Sequence, residues 1–201
     1  MAIQFREPTL ADAETILGWR LKPRVTDYLN TDIKADLSGQ RAWLNRCHER
    51  ADYYHWIAEI DGVPAGLVSI DRLDLDVGEA SWGFYIGDDR FLNMGGLIPL
   101  YLYNWVFFRV GLKRLWAEVL AFNDEVIALH HQHGYTFDRL AEAAVEKRGQ
   151  QIDLQHMVLY RQTWAGQSRY HRFQTDFPIA EPAPQLAERL ATETADTFGG
   201  N

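Results

Sequence analysis

Two adjoining runs decide the fold of this chain: Ser81-Trp82-Gly83-Phe84-Tyr85-Ile86 and, shortly after it, Arg90-Phe91-Leu92-Asn93-Met94-Gly95-Gly96. The first run is apolar and aromatic, as is typical of a strand. The second is a turn with an arginine and two glycines before an apolar helix. Backbone N–H groups at the start of a helix lack intrahelical partners, and the helix dipole is positive there. The two runs therefore predict an anion site that suits a phosphate-bearing ligand.

The sequence on either side of these runs predicts an alternation of strands and helices. The predicted strands are Ile3–Arg6, Tyr54–Glu59, Ala65–Ile70, Gly78–Ile86, Leu112–Leu120, Phe137–Val145 and Leu154–Arg161. The predicted helices are Ala11–Leu21, Val25–Leu29, a helix capped by Ser38 that runs to Ala51, 95–109, Glu125–Gln132 and a short one at Gln185–Ala191. This order predicts a mixed α+β fold.

The composition indicates one domain without a disulfide or a membrane span. A chain of 201 residues with 47% hydrophobic content can bury a sizeable core. The formal net charge of −8 argues against broad nucleic-acid binding, which requires a basic surface. Cys47 is the single cysteine, and its helical context predicts a buried, unreactive thiol. The longest apolar stretch is too short to span a bilayer, so we expect a cytoplasmic protein.

The order of elements, the glycine loop and a second motif resemble the GNAT family of acyl-CoA-dependent N-acyltransferases over roughly residues 3–162. The family's pyrophosphate loop reads Arg/Gln-x-x-Gly-x-Gly/Ala, and residues 90–95 match it except that Asn93 replaces the first glycine. Asparagine tolerates a positive φ, so we expect the turn to be kept. The second motif is an asparagine followed by a helix that closes in Gly-Phe, which Asn123 to Gly134-Tyr135 fits.

The resemblance implies the GNAT-type fold for a single acyltransferase domain at 1–164. That fold is a mixed, mostly antiparallel, strongly twisted sheet with helices on both faces and a splay between the fourth and fifth strands. Prolines and then alanine and threonine follow Trp164, so we expect a C-terminal tail at 165–201, either part helical or poorly ordered.

Within the family the chain looks closest to the PseH-like (FlmH-like) branch, whose members N-acetylate a nucleotide-linked 4-amino sugar. The ribosomal-protein acetyltransferase branch shares much of the pattern. The resembling residues are Trp19-Arg20 with Pro23 and Val25, Trp82–Ile86, Val126–His130, Asp153 and Met157.

The family chemistry is direct attack of a neutral amine on the thioester of acetyl-CoA, which needs a base for the amine and an acid for the thiolate. His130 stands where the family commonly has a tyrosine acid, and a histidine can transfer protons in either direction near neutral pH. Glu79 begins the fourth strand, where members often carry a base. A helix-surface histidine beside His131 and His133, and a solvated carboxylate, are the alternatives. We expect no metal, since nothing completes a ligand set with the histidines.

We expect the coenzyme to lie against the fourth strand and the glycine loop. Strand backbone would align the pantetheine, and Arg90 would meet a phosphate unless it is only a surface arginine. Asn123 would bond the pantetheine or cap the next helix. The expected cofactor-binding residues are Phe84, Tyr85, Ile86, Arg90, Leu92, Asn93, Met94, Gly95, Gly96 and Asn123.

The acceptor side is expected to include Arg20, Arg24 and Tyr28 from the N-terminal helices. The two arginines would hold the diphosphate of a sugar nucleotide, although ion pairs with local carboxylates are the simpler explanation. The aromatic residues Trp43, Tyr53, Tyr54 and Trp56 would either stack on the acceptor or, more simply, pack in the core.

Three functions stay open from the sequence. The first is N-acetylation of a small-molecule amine, without nucleic-acid or membrane partners and with a homodimer as one option for assembly. The second changes the acceptor to a protein N-terminus or an aminoglycoside. The third is an acyl-CoA-binding module with weak catalysis, which the departures at Asn93 and His130 keep open.

Overall fold

The computed structural model describes residues 1–192 of the chain, and its centre is a seven-stranded sheet. The strand order is β1-β2-β3-β4-β5-β7-β6. Among the described strands only β4 and β5 run parallel, and every other neighbouring pair is antiparallel. The strands are β1 Ile3–Arg6, β2 Tyr54–Ile60, β3 Val63–Asp74, β4 Glu79–Ile86, β5 Arg114–Leu120, β6 Thr136–Lys147 and β7 Gln150–Tyr160.

Helices cover both faces of this sheet, as predicted. The α1 and α3 side packs on Ile57 and Leu67, whereas the opposite face carries the larger core around Trp56, Tyr103 and Leu115. The helices are α1 Ala13–Arg20, α2 Pro23–Thr26, α3 Leu37–His48, α4 Ile98–Asn104, α5 Asp124–Gln132, α6 Arg161–Ala165 and α7 Pro184–Thr192. The mixed α+β, mostly antiparallel fold is confirmed.

Turn residues set the ends of several elements. Asp61 and Gly62 both have positive φ, of 50° and 77°, which is the conformation of a tight hairpin turn between β2 and β3. Arg148 and Gly149 repeat this pattern between β6 and β7, with φ of 50° and 75°. Gly134 ends α5 with a φ of +93°, a region that favours glycine because it has no Cβ.

The structure corrects several helix bounds: α1 begins at Ala13 instead of Ala11, and the helix expected at Val25–Leu29 is α2, Pro23–Thr26. The helix expected from Ser38 begins at Leu37 with Asp36 as its N-cap residue, so Ser38 lies inside α3. The helix expected at 95–109 begins only at Ile98, because a 3₁₀ turn over Asp89–Met94 comes first, and it closes in a π-helical turn at Trp105–Arg109.

Residues 165–192, which the sequence assigns to a tail, pack against the sheet. Phe177 is buried and stacks on Phe5, with ring centroids 4.2 Å apart. The Trp56 indole donates to the carbonyl of Pro178 at 2.7 Å, and Leu186 of α7 is fully buried. This part of the expected tail therefore contributes to the core, and the remainder, 193–201, lies outside the described residues.

Candidate active site

A cavity opens where β4 and β5 separate. The two strands pair from Glu79–Arg114 to Trp82–Ala117; beyond these pairs β4 stays with β3 and β5 stays with β7. The sheet therefore forks, and the edge of β4 that faces β5 has no strand partner beyond Trp82. The cavity in this fork has a volume of about 990 Å³. That size is typical of a site for a small molecule.

The cavity connects the glycine loop to the N-terminal helices. At one end it is lined by Leu92, Gly95 and Gly96 of the loop, together with Leu129 of α5. Its walls in the fork are Gly83–Ile86 and Glu118–Leu120. At the other end it is lined by Arg20, Arg24, Tyr28, Trp43, Tyr53, Ser69 and Asp71. One continuous space thus touches the two regions that the sequence assigns to coenzyme and acceptor.

The glycine loop approaches α4 without a positive-φ turn. Asn93 is not among the residues with positive φ, so the expectation that it replaces a glycine by entering that region is wrong. Gly95 has a φ of −56°, and a Cβ added there would meet only the Leu92 carbonyl oxygen, at 3.7 Å. Within the described part of the chain the Gly96 amide donates to no protein acceptor. The loop therefore has both room and a free donor, whereas the Met94 side chain is buried in the core.

Arg90 does not line the cavity. Its guanidinium donates to both carboxylate oxygens of Asp88, at 2.9 and 2.7 Å, and 64% of the side chain is exposed. These hydrogen bonds lower the pKa of Asp88 to about 2. A phosphate contact by Arg90 would require this pair to open, and it stays a prediction.

Arg24 holds the N-terminal helices on the end of β4. It donates to the carbonyls of Ile86 and Gly87, at 2.6 and 2.7 Å, and pairs with Asp89. Lys22 makes a second bond to the Gly87 carbonyl and to the same carboxylate. Arg24 lines the cavity, but its donors are engaged by the protein, so its first role is to position the two regions against each other.

Arg20 is different, because no carboxylate of the described residues lies within ion-pair distance of it. Its guanidinium donates to Gln40 at 3.0 Å and lies over the Trp43 ring, 4.8 Å from the centroid. Tyr28 is half-exposed, and its ring lies 5.8 Å from that of Phe122, which follows β5. The cavity thus has a cation and exposed aromatic rings at its acceptor end.

His130 lines the cavity from α5 but is buried, only 3% exposed. Its ring stacks on Trp82, with centroids 5.6 Å apart, and lies 4.7 Å from the Tyr135 ring. Burial lowers the pKa of His130 to about 3, so the imidazole is neutral at pH 7 and can serve only as a neutral hydrogen-bond donor or acceptor. From the sequence, His133 would face solvent or cap the end of the helix; in the structure it is also buried, and burial lowers its pKa to about 4.

The sequence matches the family model of the acetyltransferase (GNAT) domain over residues 3–136. The chain belongs to the GNAT acetyltransferase family. It is an acyltransferase by that membership. No curated protein matches the sequence.

Solved GNAT structures share the fold at low sequence identity. A spermidine N-acetyltransferase from Vibrio cholerae, in complex with CoA and spermine, superposes with a TM-score of 0.73 at 14% identity over 81% of this chain and 98% of that one. A probable acetyltransferase gives a TM-score of 0.71 at 18% identity, over 81% of this chain and 94% of the other. At these identities the likeness establishes the fold alone.

Glu79, the base expected from the GNAT resemblance, does not line the fork cavity. It accepts from the Trp116 indole at 3.0 Å and forms an ion pair with Arg114. It lines a second, smaller cavity of about 280 Å³ on the β5 side. The base role of Glu79 therefore stays a prediction that its position does not favour.

Asn123 is both the N-cap residue of α5 and a lining residue of the fork cavity. Its side-chain oxygen accepts the Val126 amide at 3.4 Å as the N-cap of α5, and the residue lines the fork. Both of the roles left open by the sequence are therefore compatible with its position in this GNAT domain.

Glu118 and Arg72 also line the cavity, and the sequence did not predict them as site residues. Glu118 lies in a predicted strand where a charged residue is typical of an exposed position, and Arg72 follows the predicted strand Ala65–Ile70, so nothing in the sequence marked either residue. The register of the strands, which brings β3, β4 and β5 together, places both residues at the cavity.

The described residues contain neither a helix that could span a membrane nor a cluster of metal-ligating side chains. None of the described helices is long and apolar enough to cross a membrane. Within residues 1–192 no three His, Cys, Asp or Glu side chains cluster in a way that could hold a metal ion.

Proposed function

We propose that this GNAT protein transfers the acetyl group of acetyl-CoA to a primary amine of a small molecule, by direct attack of the amine on the thioester. The observation that carries the proposal is the fork cavity, because it joins the glycine loop to the N-terminal helices in one space. A coenzyme that enters at the loop and an amine that enters at the helices would meet between β4 and β5.

The coenzyme end fits a diphosphate at the loop. The Gly96 amide is unpaired within the described residues, and the open space at Gly95 lets a ligand approach the backbone. Leu92 and Asn93 are exposed beside it, and Asn123 lies farther along the cavity. Release of Arg90 from Asp88 would add a charged donor to the same phosphates.

The thioester would lie against the unpaired edge of β4. Phe84, Tyr85 and Ile86 line the fork, and a backbone without a strand partner can bind an extended ligand as a strand would. His130 faces the same cavity from α5 as a neutral imidazole, which can donate a hydrogen bond toward the departing sulfur. The imidazole does not bring a stored proton, because its pKa is far below 7.

The acceptor end suits an amine that also carries a negative group, with a nucleotide-linked 4-amino sugar as the leading candidate. Arg20 is free of carboxylates and lies on Trp43, so it can pair with a phosphate. Tyr28, exposed at the mouth, could stack on a base.

A polyamine acceptor, such as the spermine bound by the Vibrio cholerae relative, is less well matched. A polycation needs several free carboxylates, and Asp71 and Glu118 in this cavity are each engaged by an arginine, Arg50 and Arg72 respectively. Glu125 is the remaining carboxylate among the described lining residues. A protein N-terminus or an aminoglycoside stays an alternative for the amine panel below.

The coenzyme half is tested by thermal unfolding with acetyl-CoA, free CoA and longer acyl-CoAs. Acetyl-CoA at 100 times its Kd should stabilise the protein by about 2.7 kcal/mol, or about 5–10 °C in Tm. Gly95→Asp places a negative charge in the loop and should abolish the shift. Gly18→Asp, on the exposed surface of α1 with nothing within 4 Å, is the matched control and should keep it.

The acceptor half is tested by release of the CoA thiol with a panel of amines. The panel contains a nucleotide-linked 4-amino sugar, spermidine, an aminoglycoside and a peptide N-terminus. Arg20→Gln should raise KM for an anionic acceptor tenfold or more, while leaving KM for acetyl-CoA within a factor of two. Absence of a thermal shift with any acyl-CoA at millimolar concentration would refute the transferase proposal for this chain.

A further inference from the structure

The fork cavity meets the smaller second cavity at one ion pair. Arg72, Ser81 and Glu118 line both cavities. The second cavity continues from this pair past His156 of β7 and Arg139 of β6. A charged pair therefore stands between the fork and a separate polar passage.

Glu118 occupies the vertex of the fork. The last paired residue of β5 is Ala117, opposite Trp82, and Glu118 is the next residue along the strand. Its side chain is 22% exposed, and one carboxylate oxygen, Oε1, accepts from Arg72 at 2.5 Å. Within residues 1–192 the second oxygen, Oε2, has no protein partner, so it is free to accept a hydrogen bond in the cavity.

Arg72 makes this pair from an irregular part of β3. Its φ is +54°, in the left-handed region, and the register of β3 shifts between Asp71 and Asp74 around it. A non-glycine residue rarely adopts this conformation, because its Cβ crowds the neighbouring backbone. The same guanidinium donates to the Ser81 hydroxyl at 2.7 Å, so both partners lie at the junction of the cavities.

His156 is the next titratable group beyond Glu118. Its Nδ1 lies 3.9 Å from Glu118 Oε1, and residues 118 and 156 are directly paired between β5 and β7. Arg139 approaches the same ring nitrogen at 3.4 Å. Burial and this arginine lower the pKa of His156, so the ring would not retain a proton that reached it.

We propose that Glu118 accepts the proton of the acceptor ammonium at the fork, and that His156 and the second cavity conduct that proton to solvent. The inference rests on the proposed function. It transfers the base role from Glu79, which lies at the far side of the second cavity, to a carboxylate that lines the fork itself.

Glu118 Oε2 takes one proton from the ammonium, which leaves a neutral amine with a free electron pair. The pair forms the new C–N bond at the thioester carbonyl carbon, and the C–S bond breaks with its electrons on sulfur. The nitrogen then loses a second proton, which the thiolate takes up. The products are the acetamide, the CoA thiol and one proton that leaves Glu118 through His156.

Charged groups from every neighbouring strand face this route and would shape its pH dependence. Arg72 comes from β3 and Glu79 from β4, and Arg114 pairs with Glu79 at the start of β5. The β6 strand adds Arg139 and Asp138, which pair with each other at 3.1 Å.

The test compares Glu118→Gln with the wild type at pH 6 to 10. The acceptor probes are n-propylamine and the best amine of the panel. We expect kcat at pH 7 to fall about 100-fold, which is the lower range for loss of a general base. The deficit should shrink about tenfold per pH unit and disappear near pH 9, because the free base is then supplied by solvent. The thermal shift with acetyl-CoA should be unchanged.

Further variants separate chemistry from folding. Glu118→Asp should recover part of the rate, and His156→Asn should lower kcat at pH 7 several-fold without changing KM. A loss of less than threefold in Glu118→Gln, or a loss equal at every pH, would overturn the inference. So would a large loss in Glu79→Gln alone. Wild-type protein that binds acetyl-CoA but acetylates no amine would refute the acceptor half of the proposed function, and the inference with it.

Discussion

At the scale of single residues, helix packing and strand pairing decide which side chains reach the fork cavity. Motif spacing led to Gly95, Gly96, Asn123 and His130, and all four line the fork cavity. The motif did not reveal that His130 is buried against Trp82, since that depends on the approach of α5 to β4. Nor could it reveal Glu118, because the strand residue that reaches the vertex is set by where pairing stops.

Buried histidines predict a loss of stability at acid pH. His55, like His130, is buried, and neither of its ring nitrogens has a protein partner in the described chain; burial lowers its pKa to about 3. A pKa below the unfolded value favours the neutral form, so stability is complete above about pH 6.5 and falls as pH decreases toward 3. Each such group should cost about 2 kcal/mol between pH 6.5 and 5.

His55→Phe removes one of these groups. The variant should lose about 2 kcal/mol less than the wild type between pH 7 and pH 5 in urea unfolding curves. Equal losses in the two proteins would show that the His55 ring is not held neutral by burial.

At the scale of elements, the order of strands and helices could be predicted from the sequence, because the spacing of apolar residues and the identity of turn residues are local features. Asp61-Gly62, Pro99 and Gly134 mark their boundaries by backbone chemistry that depends on few neighbours. The 3₁₀ turn before α4 could not be predicted from the sequence. Gly95 and Gly96 are compatible with either sign of φ, so they do not indicate that the chain keeps a negative φ through Asn93.

The β3–β4 pair contains two glycines that should differ in how well they tolerate alanine. A Cβ at Gly66 would overlap the Tyr85 carbonyl oxygen, because β3 and β4 approach closely opposite Ile86. A Cβ at Gly83 would meet only the Ser69 hydroxyl oxygen, at 3.7 Å.

We therefore expect Gly66→Ala to destabilise the protein by about 1–3 kcal/mol and Gly83→Ala to change stability little. Chemical unfolding of the two variants side by side measures this difference. Similar stabilities would mean that the two strands can separate at Gly66 without cost.

At the scale of the whole molecule, the prediction of the sheet was the most complete and that of the C-terminal segment the least. The mostly antiparallel sheet and its splay between the fourth and fifth strands followed from the family resemblance, and both are confirmed. The prolines after Trp164 suggested a tail that is either part helical or poorly ordered, and in the structure Phe177 and Leu186 of this segment are buried. Isolated apolar residues between prolines show neither the helical nor the strand spacing of apolar residues, so the sequence does not indicate what they pack against.

Phe177→Ala tests how far this segment stabilises the fold. The ring contacts Phe5, Trp56 and Trp105, so its removal should cost about 3–5 kcal/mol in urea unfolding. Phe137→Ala makes the same change at a ring that is 54% exposed and should cost far less. Equal costs would mean that the segment 165–192 detaches without affecting the sheet.

The fork also has a mechanical consequence. Four residue pairs join β4 to β5, so the left part of the sheet (β1 to β4) and the right part (β5 to β7) share a short seam. Sheet hydrogen bonds do not resist relative rotation of the two parts beyond that seam. An extended molecule that bonds to the free edge of β4 and also contacts β5 would link the two parts of the sheet. The same ligand would then both react and restrict the rotation of one part relative to the other.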